Sequence, residues 1–170
     1  IGVAVATESF KGYYPVAHEA GGNMDMMMVM NWVQDICRSK ATKIFHNASY
    51  DIGWLKAHGV TVYGSIADTM IAAALIDENR YQYSLNSLSK DYLGELKAET
   101  DLKLAAEEHG IDAKREMWKL PAEHVGFYAE QDARLTLMLW QRFKQEIQQQ
   151  SLTTIWELES ELLPILIKMR

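Results

Sequence analysis

Cysteine is almost missing from this sequence: Cys37 is the single one in 170 residues. A disulfide framework is thereby excluded, so a buried core must hold the fold. Cationic side chains are also in the minority, 17 Lys and Arg against 23 Asp and Glu, giving a net charge of −6 and a pI near 5.4. That balance argues against a protein that grips nucleic acid through a broad basic surface, because such binding draws on many contacts to phosphate. Any nucleic-acid role has to be local. Long apolar runs are missing too: none approaches the roughly 18 residues that a bilayer-crossing helix needs. The opening stretch, Ile1 to Thr7, lacks the charged start, apolar run and small-residue cleavage site of a secretory signal. A reducing, cytoplasmic setting without membrane insertion is the expectation. The 48% hydrophobic content leaves no case for disorder and suits one globular domain.

Periodicity outlines the elements. IGVAVAT (1–7) and GYYPVA (12–17) are short, rich in Val and Tyr, and read as an antiparallel pair. After the turn residues of AGGNMD (20–25), near-helical spacing of Met27, Met30, Val33, Ile36 and Cys37 predicts a helix to about Ser39. The five methionines between Met24 and Met30 read as ordinary helix core. TKIFHN (42–47) and VTVYGS (60–65) read as strands, with a short helix over 50–59 between them that stops at Gly59. Further helices are expected over 67–77, over 83–94 with Ser84 as cap and Gly94 as stop, and over 99–110. From Pro121 an apolar pattern runs for about seven turns, and Gly126 is expected to loosen or split that helix. QQQSLTT (148–154) reads as a polar linker to a last amphipathic helix, kinked at Pro164, whose Leu162, Leu163, Ile165, Leu166 and Ile167 make more apolar surface than a loose end can hide. Strands alternating with helices predict an α/β fold, a mixed sheet flanked by helices.

The chemistry-bearing residues lie at two places. In FYAEQDARL (127–135) Tyr128 stands four positions before Asp132, which puts both on one helical face. In FHNASYDIGWL (45–55) Asn47 and Asp51 sit just beyond a strand end, the edge where sites in α/β sheets form. Asp51 could face Asp132. Taken singly, Asp51 also reads as an acid complementing a helix dipole, Asn47 as the cap of that helix, and Tyr128 as a packing residue. Together, two distant carboxylates, an asparagine and a tyrosine are candidates for metal-assisted phosphodiester hydrolysis, in which two Mg²⁺ ions about 3.5–4 Å apart activate a water and steady the leaving oxygen. A phenol with an ordinary pKa near 10 would then aim the water as a neutral hydrogen-bonding partner.

NASYD (47–51) and YAEQD (128–132) resemble the second and third motifs of the proofreading 3′–5′ exonucleases that use four acids and a tyrosine. GYYPVAHEAGGN (12–23), ADTMIAAALID (67–77), YSLNSL (83–88) and YAEQDARLTLMLW (128–140) look like that domain in family A DNA polymerases, and IWELESELLPILIKM (155–169) looks like the helix leading into the polymerase domain. The histidine variant of the superfamily has its histidine five residues before the last aspartate, where this chain has Phe127, so the tyrosine variant fits. The resemblance implies a ribonuclease H-like fold. Residues 1–150 would form the exonuclease domain, and residues 151–170 the linker and the start of the helix entering a polymerase domain of the same parent chain. It implies Mg²⁺ or Mn²⁺ as cofactor, with Asp132 binding one ion directly, Asp51 holding the second through water and Tyr128 positioning the nucleophile. A single-stranded DNA 3′ end would be the partner. Asn47 would lie beside the terminal nucleotide, with His46 as an orienting or packing residue before it; His124, two turns before Asp132, could touch substrate. Asp68 matches a family position but reads as a helix cap, and Trp118 could stack a base although core packing is its plainer reading.

Similar proteins carry their other two acids as Asp-x-Glu on a first strand, upstream of the strand that IGVAVAT resembles. No such pair stands here: Glu8 has Ala6 where the Asp would be, and an alternative reading places Ala4 and Ala6 as replacements of the pair. The expectation is a domain without its first strand, itself a poor nuclease, whose exposed strands could pair into non-native dimers. Its setting would be the host cytoplasm if the source is viral. Two other readings stay open: a metal-free scaffold or single-strand contact for a polymerase, and a ribonuclease D-like RNA-trimming enzyme.

Overall fold

The computed structural model describes residues 1–96 and 99–169. Its elements follow the order β1 (Gly2–Ala6), β2 (Lys11–Pro15), α1 (Met26–Arg38), β3 (Lys43–Phe45), α2 (Ala48–Ala57), β4 (Ile66–Asp68), α3 (Thr69–Ile76), α4 (Leu85–Leu93), α5 (Thr100–Glu108), a 3₁₀ turn (Met117–Lys119), α6 (Ala122–Gln149) and α7 (Thr153–Met169). The α/β class is as expected. Among the described residues the ladders form two separate pairs, β1 with β2 antiparallel and β3 with β4 parallel, where one mixed sheet was anticipated. The chain divides into two units, one of residues 1–29 and 96–135, the other of residues 30–95 and 136–170.

In the first unit the hairpin pairs Gly2 with Pro15 and Ala6 with Lys11. Its core joins Leu102, Ala105 and Ala106 of α5 to Leu120 and Val125, with Tyr13, Met117 and Tyr128 packed on the margin. A hydrogen-bonded chain ties β2 to the segment ahead of α6. His18 is buried, and its Nδ1 lies 2.7 Å from the Leu120 carbonyl oxygen. A carbonyl only accepts, so Nδ1 carries the proton. In the neutral ring Nε2 then accepts from the Tyr13 hydroxyl at 2.6 Å. Burial pushes the Tyr13 phenol up to about 12 and the His18 imidazole below its ordinary value. Gly2 leaves room for this ring, since a Cβ there would lie 2.4 Å from the Tyr13 ring.

Gly126 does not split α6. The helix runs unbroken for 28 residues, and Gly126 faces the Tyr13 ring, with space for a Cβ at 3.6 Å. The methionines also depart from expectation. The buried stripe of α1 is Val29, Val33 and Cys37, while Met24, Met26, Met27 and Met28 are exposed, Met27 by 73%. The i, i+4 spacing of the smaller residues selects that face over the methionines.

The second unit holds Ala48, Ile52 and Ile66 against Leu163 and Ile167 of α7. Two of the five apolar residues flagged at the end of the chain are thus buried, while Leu162, Ile165 and Leu166 remain exposed. Residues 60–65 are not a strand. Gln34 receives the Thr61 amide on Oε1 and donates to the Thr61 carbonyl from Nε2, and the Tyr63 amide bonds to the Cys37 carbonyl. The backbone is satisfied by α1 and its side chains instead of a ladder, and the strand falls at Ile66–Asp68. The helices over α4 and α5 stand close to where periodicity put them, α4 capped by the Ser84 hydroxyl on the Ser87 amide and closed by Gly94 in the left-handed region. The linker before α7 is shorter than expected, residues 150–152.

Candidate functional site

In the second unit, β3 and β4 run parallel with Phe45 opposite Asp68, so both strands end at one edge. From Phe45 the chain turns through His46 and Asn47 into α2. Asn47 occupies the capping position in the left-handed conformation, φ 67° and ψ 59°, and its side chain makes no cap bond. The expectation that its amide caps α2 is corrected: Asp68 takes that role. Asp68 Oδ1 accepts the amides of Asn47 at 3.0 Å and Met70 at 2.9 Å, and Oδ2 accepts the Ala48 amide at 2.7 Å. It is 3% exposed, and it therefore starts α2 while capping its own helix α3, as its sequence position foretold for α3 alone. Asparagine tolerates the left-handed region better than most residues, and with the backbone clamped its amide is left facing solvent.

His46 is half-buried. The Thr69 hydroxyl donates to the Phe45 carbonyl oxygen at 3.2 Å and so accepts from His46 Nδ1 at 2.9 Å. The imidazole is thereby oriented with its proton on Nδ1. Asp51 follows in the first turn of α2. Burial, and then the negative charge of Asp68, push its carboxyl up to about 6. A carboxylate so placed is held where its charge is disfavoured, and a cation would relieve that.

In the first unit α6 presents His124, Tyr128 and Asp132 at successive i, i+4 steps, on one face as read from the sequence. Tyr128 packs its ring on the core beside Val125, which satisfies its packing reading, and Asp132 is partly buried. His124 stands edge-on to His109 at 5.9 Å, and its Nε2 lies 3.8 Å from Glu123. Phe127, where the histidine variant would carry its histidine, is exposed beneath the Lys11 ammonium at 5.0 Å. Trp118 is not core: it is 44% exposed, with the Lys119 ammonium 5.4 Å from its ring. Each unit thus assembles its own half of the predicted set, Asn47, His46 and Asp51 with Asp68 in one, and His124, Tyr128 and Asp132 in the other. Among the described residues no three His, Cys, Asp or Glu side chains stand together as a metal-holding group. No helix among them is long and apolar enough to cross a membrane. The grip of Asp68 on α2 escaped the sequence reading, although an acid ending a strand just before a helix was its visible signal.

Residues 3–148 match the family model described as 3′–5′ exonuclease. A DNA-directed DNA polymerase of Pseudomonas phage M6 is 37% identical over 99% of this chain and 26% of its own length. DNA polymerase DpoZ of Salmonella phage PMBT28 is 32% identical over 98% of the chain and 27% of its own length. DNA polymerase I of Borreliella burgdorferi is 26% identical over 99% of the chain and 18% of its own length. The chain spans about a quarter of the length of the two phage relatives. The match over nearly its whole length makes the assignment: the chain belongs to the 3′–5′ exonuclease domain family of the family A DNA polymerases.

Proposed function

We propose that this domain removes mispaired nucleotides from single-stranded 3′ ends of DNA for a polymerase domain, on a ribonuclease H-like frame. The observation that carries the reading is the tyrosine and aspartate one turn apart on α6, inside the span that matches the exonuclease family. A separate support, within the second unit, is Asp51, a desolvated carboxyl beside an Asp68 already engaged by three backbone amides. Family members use divalent metals, and the donor chemistry here fits Mg²⁺ or Mn²⁺, with Asp51 and Asp132 as the ligands this chain offers. Bound ions would supply Lewis acidity at the scissile phosphate.

The chain's own residues do the rest. The neutral phenol of Tyr128 donates a hydrogen bond that orients the attacking water. The Asn47 amide and the imidazole of His46, held by Thr69, would border the terminal nucleotide, and His124, one turn before Tyr128 on α6, would be a further substrate contact. Selectivity for mispaired ends needs no sequence reading, because such an end frays at a cost lower by a few kcal/mol.

Two carboxylates hold a pair of ions weakly, so slow hydrolysis by the 170-residue chain alone is expected. The test offers a 3′-labelled primer, matched or mispaired, to the polymerase that carries this domain. Mononucleotide release from the mispaired end should disappear with Asp132→Ala and slow with Tyr128→Phe. Undiminished release by Asp132→Ala would remove the reading.

A further inference from the structure

Helix α2 and His58, the residue that closes it, carry an aromatic series that the hydrolysis reading does not use. Tyr50, Trp54 and His58 recur every four residues, so they climb about 6 Å per step and drift only about 40° around the axis. Tyr50 is 60% exposed and Trp54 is 55% exposed. These are large apolar rings on the outside of a helix whose buried face is supplied by Ala48 and Ile52. Packing does not explain them.

Nor is the arrangement loose. The His58 imidazole lies over the Trp54 indole with centroids 5.4 Å apart and planes 18° from parallel. His58 Nδ1 lies 3.0 Å from the Trp54 carbonyl oxygen, which can only accept, so the ring is fixed in the stacked pose by a donated hydrogen bond. The two rings form one preorganised π-surface, whose ordering cost is met before any ligand arrives. Asp51 and Asn47 stand on the same side of α2: in an ideal helix Asp51 lies about 60° from Trp54 around the axis and one turn away along it.

We infer that the Trp54–His58 stack is a base-stacking platform for single-stranded DNA, receiving a nucleotide upstream of the one held at Asn47 and Asp51. The inference rests on the exonuclease reading for the direction of the strand. The chemistry of the patch selects the occupant. An acidic chain with a net charge of −6 cannot hold a strand by a wide cationic track, whereas stacking on an aromatic face works for every base and needs no positive field. An apolar peptide would prefer a groove, and these rings stand on a convex helix face.

The test measures anisotropy of fluorescein-labelled dT12 with the 170-residue chain in EDTA, so that no hydrolysis intervenes. Trp54→Ala should weaken binding about tenfold, Trp54→Leu should do the same although it keeps apolar bulk, and Trp54→Tyr should restore most of the affinity. His58→Ala should weaken it less. Because these side chains are exposed, thermal melts of the variants should match the parent. Equal affinity of Trp54→Leu and the unaltered chain would overturn the platform while leaving the exonuclease reading intact. Failure of the unaltered chain to bind dT12 at all would overturn both, and tighter binding to rU12 than to dT12 would overturn the choice of DNA.

Discussion

Asp68 Oδ2 accepts the amide of Ala48 from 20 residues away, at 2.7 Å, while Oδ1 takes the amides of Asn47 and Met70. One buried side chain therefore sets the start of two helices and the left-handed backbone of Asn47 between them. Asp68→Ala should cost roughly 3 kcal/mol in urea unfolding, since three amides lose a charged acceptor where water is excluded. Asp68→Asn should fall between the two, because its NH₂ cannot accept from Ala48. Wild-type stability in Asp68→Ala would show that the clamp is unimportant.

Asp51 carries the pH dependence of the same corner. Its carboxyl, ordinarily near 3.8, is pushed up to about 6 in the folded chain. The folded state thus holds the proton more tightly than the unfolded one. The associated stability is full below the unfolded value and is lost as pH rises through about 6. Asp51→Asn should accordingly stabilise the metal-free protein by roughly 2 kcal/mol at pH 8 and by almost nothing at pH 3.5. Adding Mn²⁺ at pH 8 should raise the melting temperature of the parent more than that of Asp51→Asn. Identical Mn²⁺ responses would count against Asp51 as a ligand.

Gly126 lies inside α6 with room for a methyl group, its nearest neighbour being the Tyr13 ring at 3.6 Å. A helix-interior glycine carries a conformational-entropy cost that alanine avoids. Gly126→Ala should stabilise the chain by up to about 1 kcal/mol, read as a higher urea midpoint at an unchanged slope. A lower midpoint would mean that the Tyr13 contact is tighter than ordinary van der Waals distance.

Tyr13→Phe keeps the ring and removes the hydroxyl that bonds His18 Nε2. A loss of about 1 kcal/mol is expected. His18 itself, with a folded pKa below 6.5, contributes stability above that pH which falls away on acidification. Replacing it by Phe should flatten that acid limb of the stability profile, at the expense of orphaning the Leu120 carbonyl.

Helices were the legible part of this fold. Ser84 and Gly94 bracket α4, and the apolar spacing beyond Pro121 gives α6, because caps and 3.6-residue periodicity are local signals. The strand near residue 60 was misplaced for a non-local reason: the polar groups of Thr61 find Gln34, 27 residues away, which no window of sequence reveals. Met27 misled because hydrophobicity alone does not say which of two apolar faces is buried. At the site, the placement of Tyr128 and Asp132 on one helical face followed from their spacing. The bond that frees the Asn47 side chain comes from Asp68, so the role of Asn47 as a cap could not be judged from its neighbours.

Gly2 and Tyr13 restrict how this hairpin can diverge. A side chain at position 2 would collide with the phenol at 2.4 Å, and that phenol is anchored to His18. The order of substitution is therefore constrained: the aromatic ring at 13 has to shrink before position 2 can grow, and a lineage taking the steps in reverse crosses an intermediate with a disrupted hairpin. Position 2 should stay glycine wherever position 13 keeps its aromatic ring.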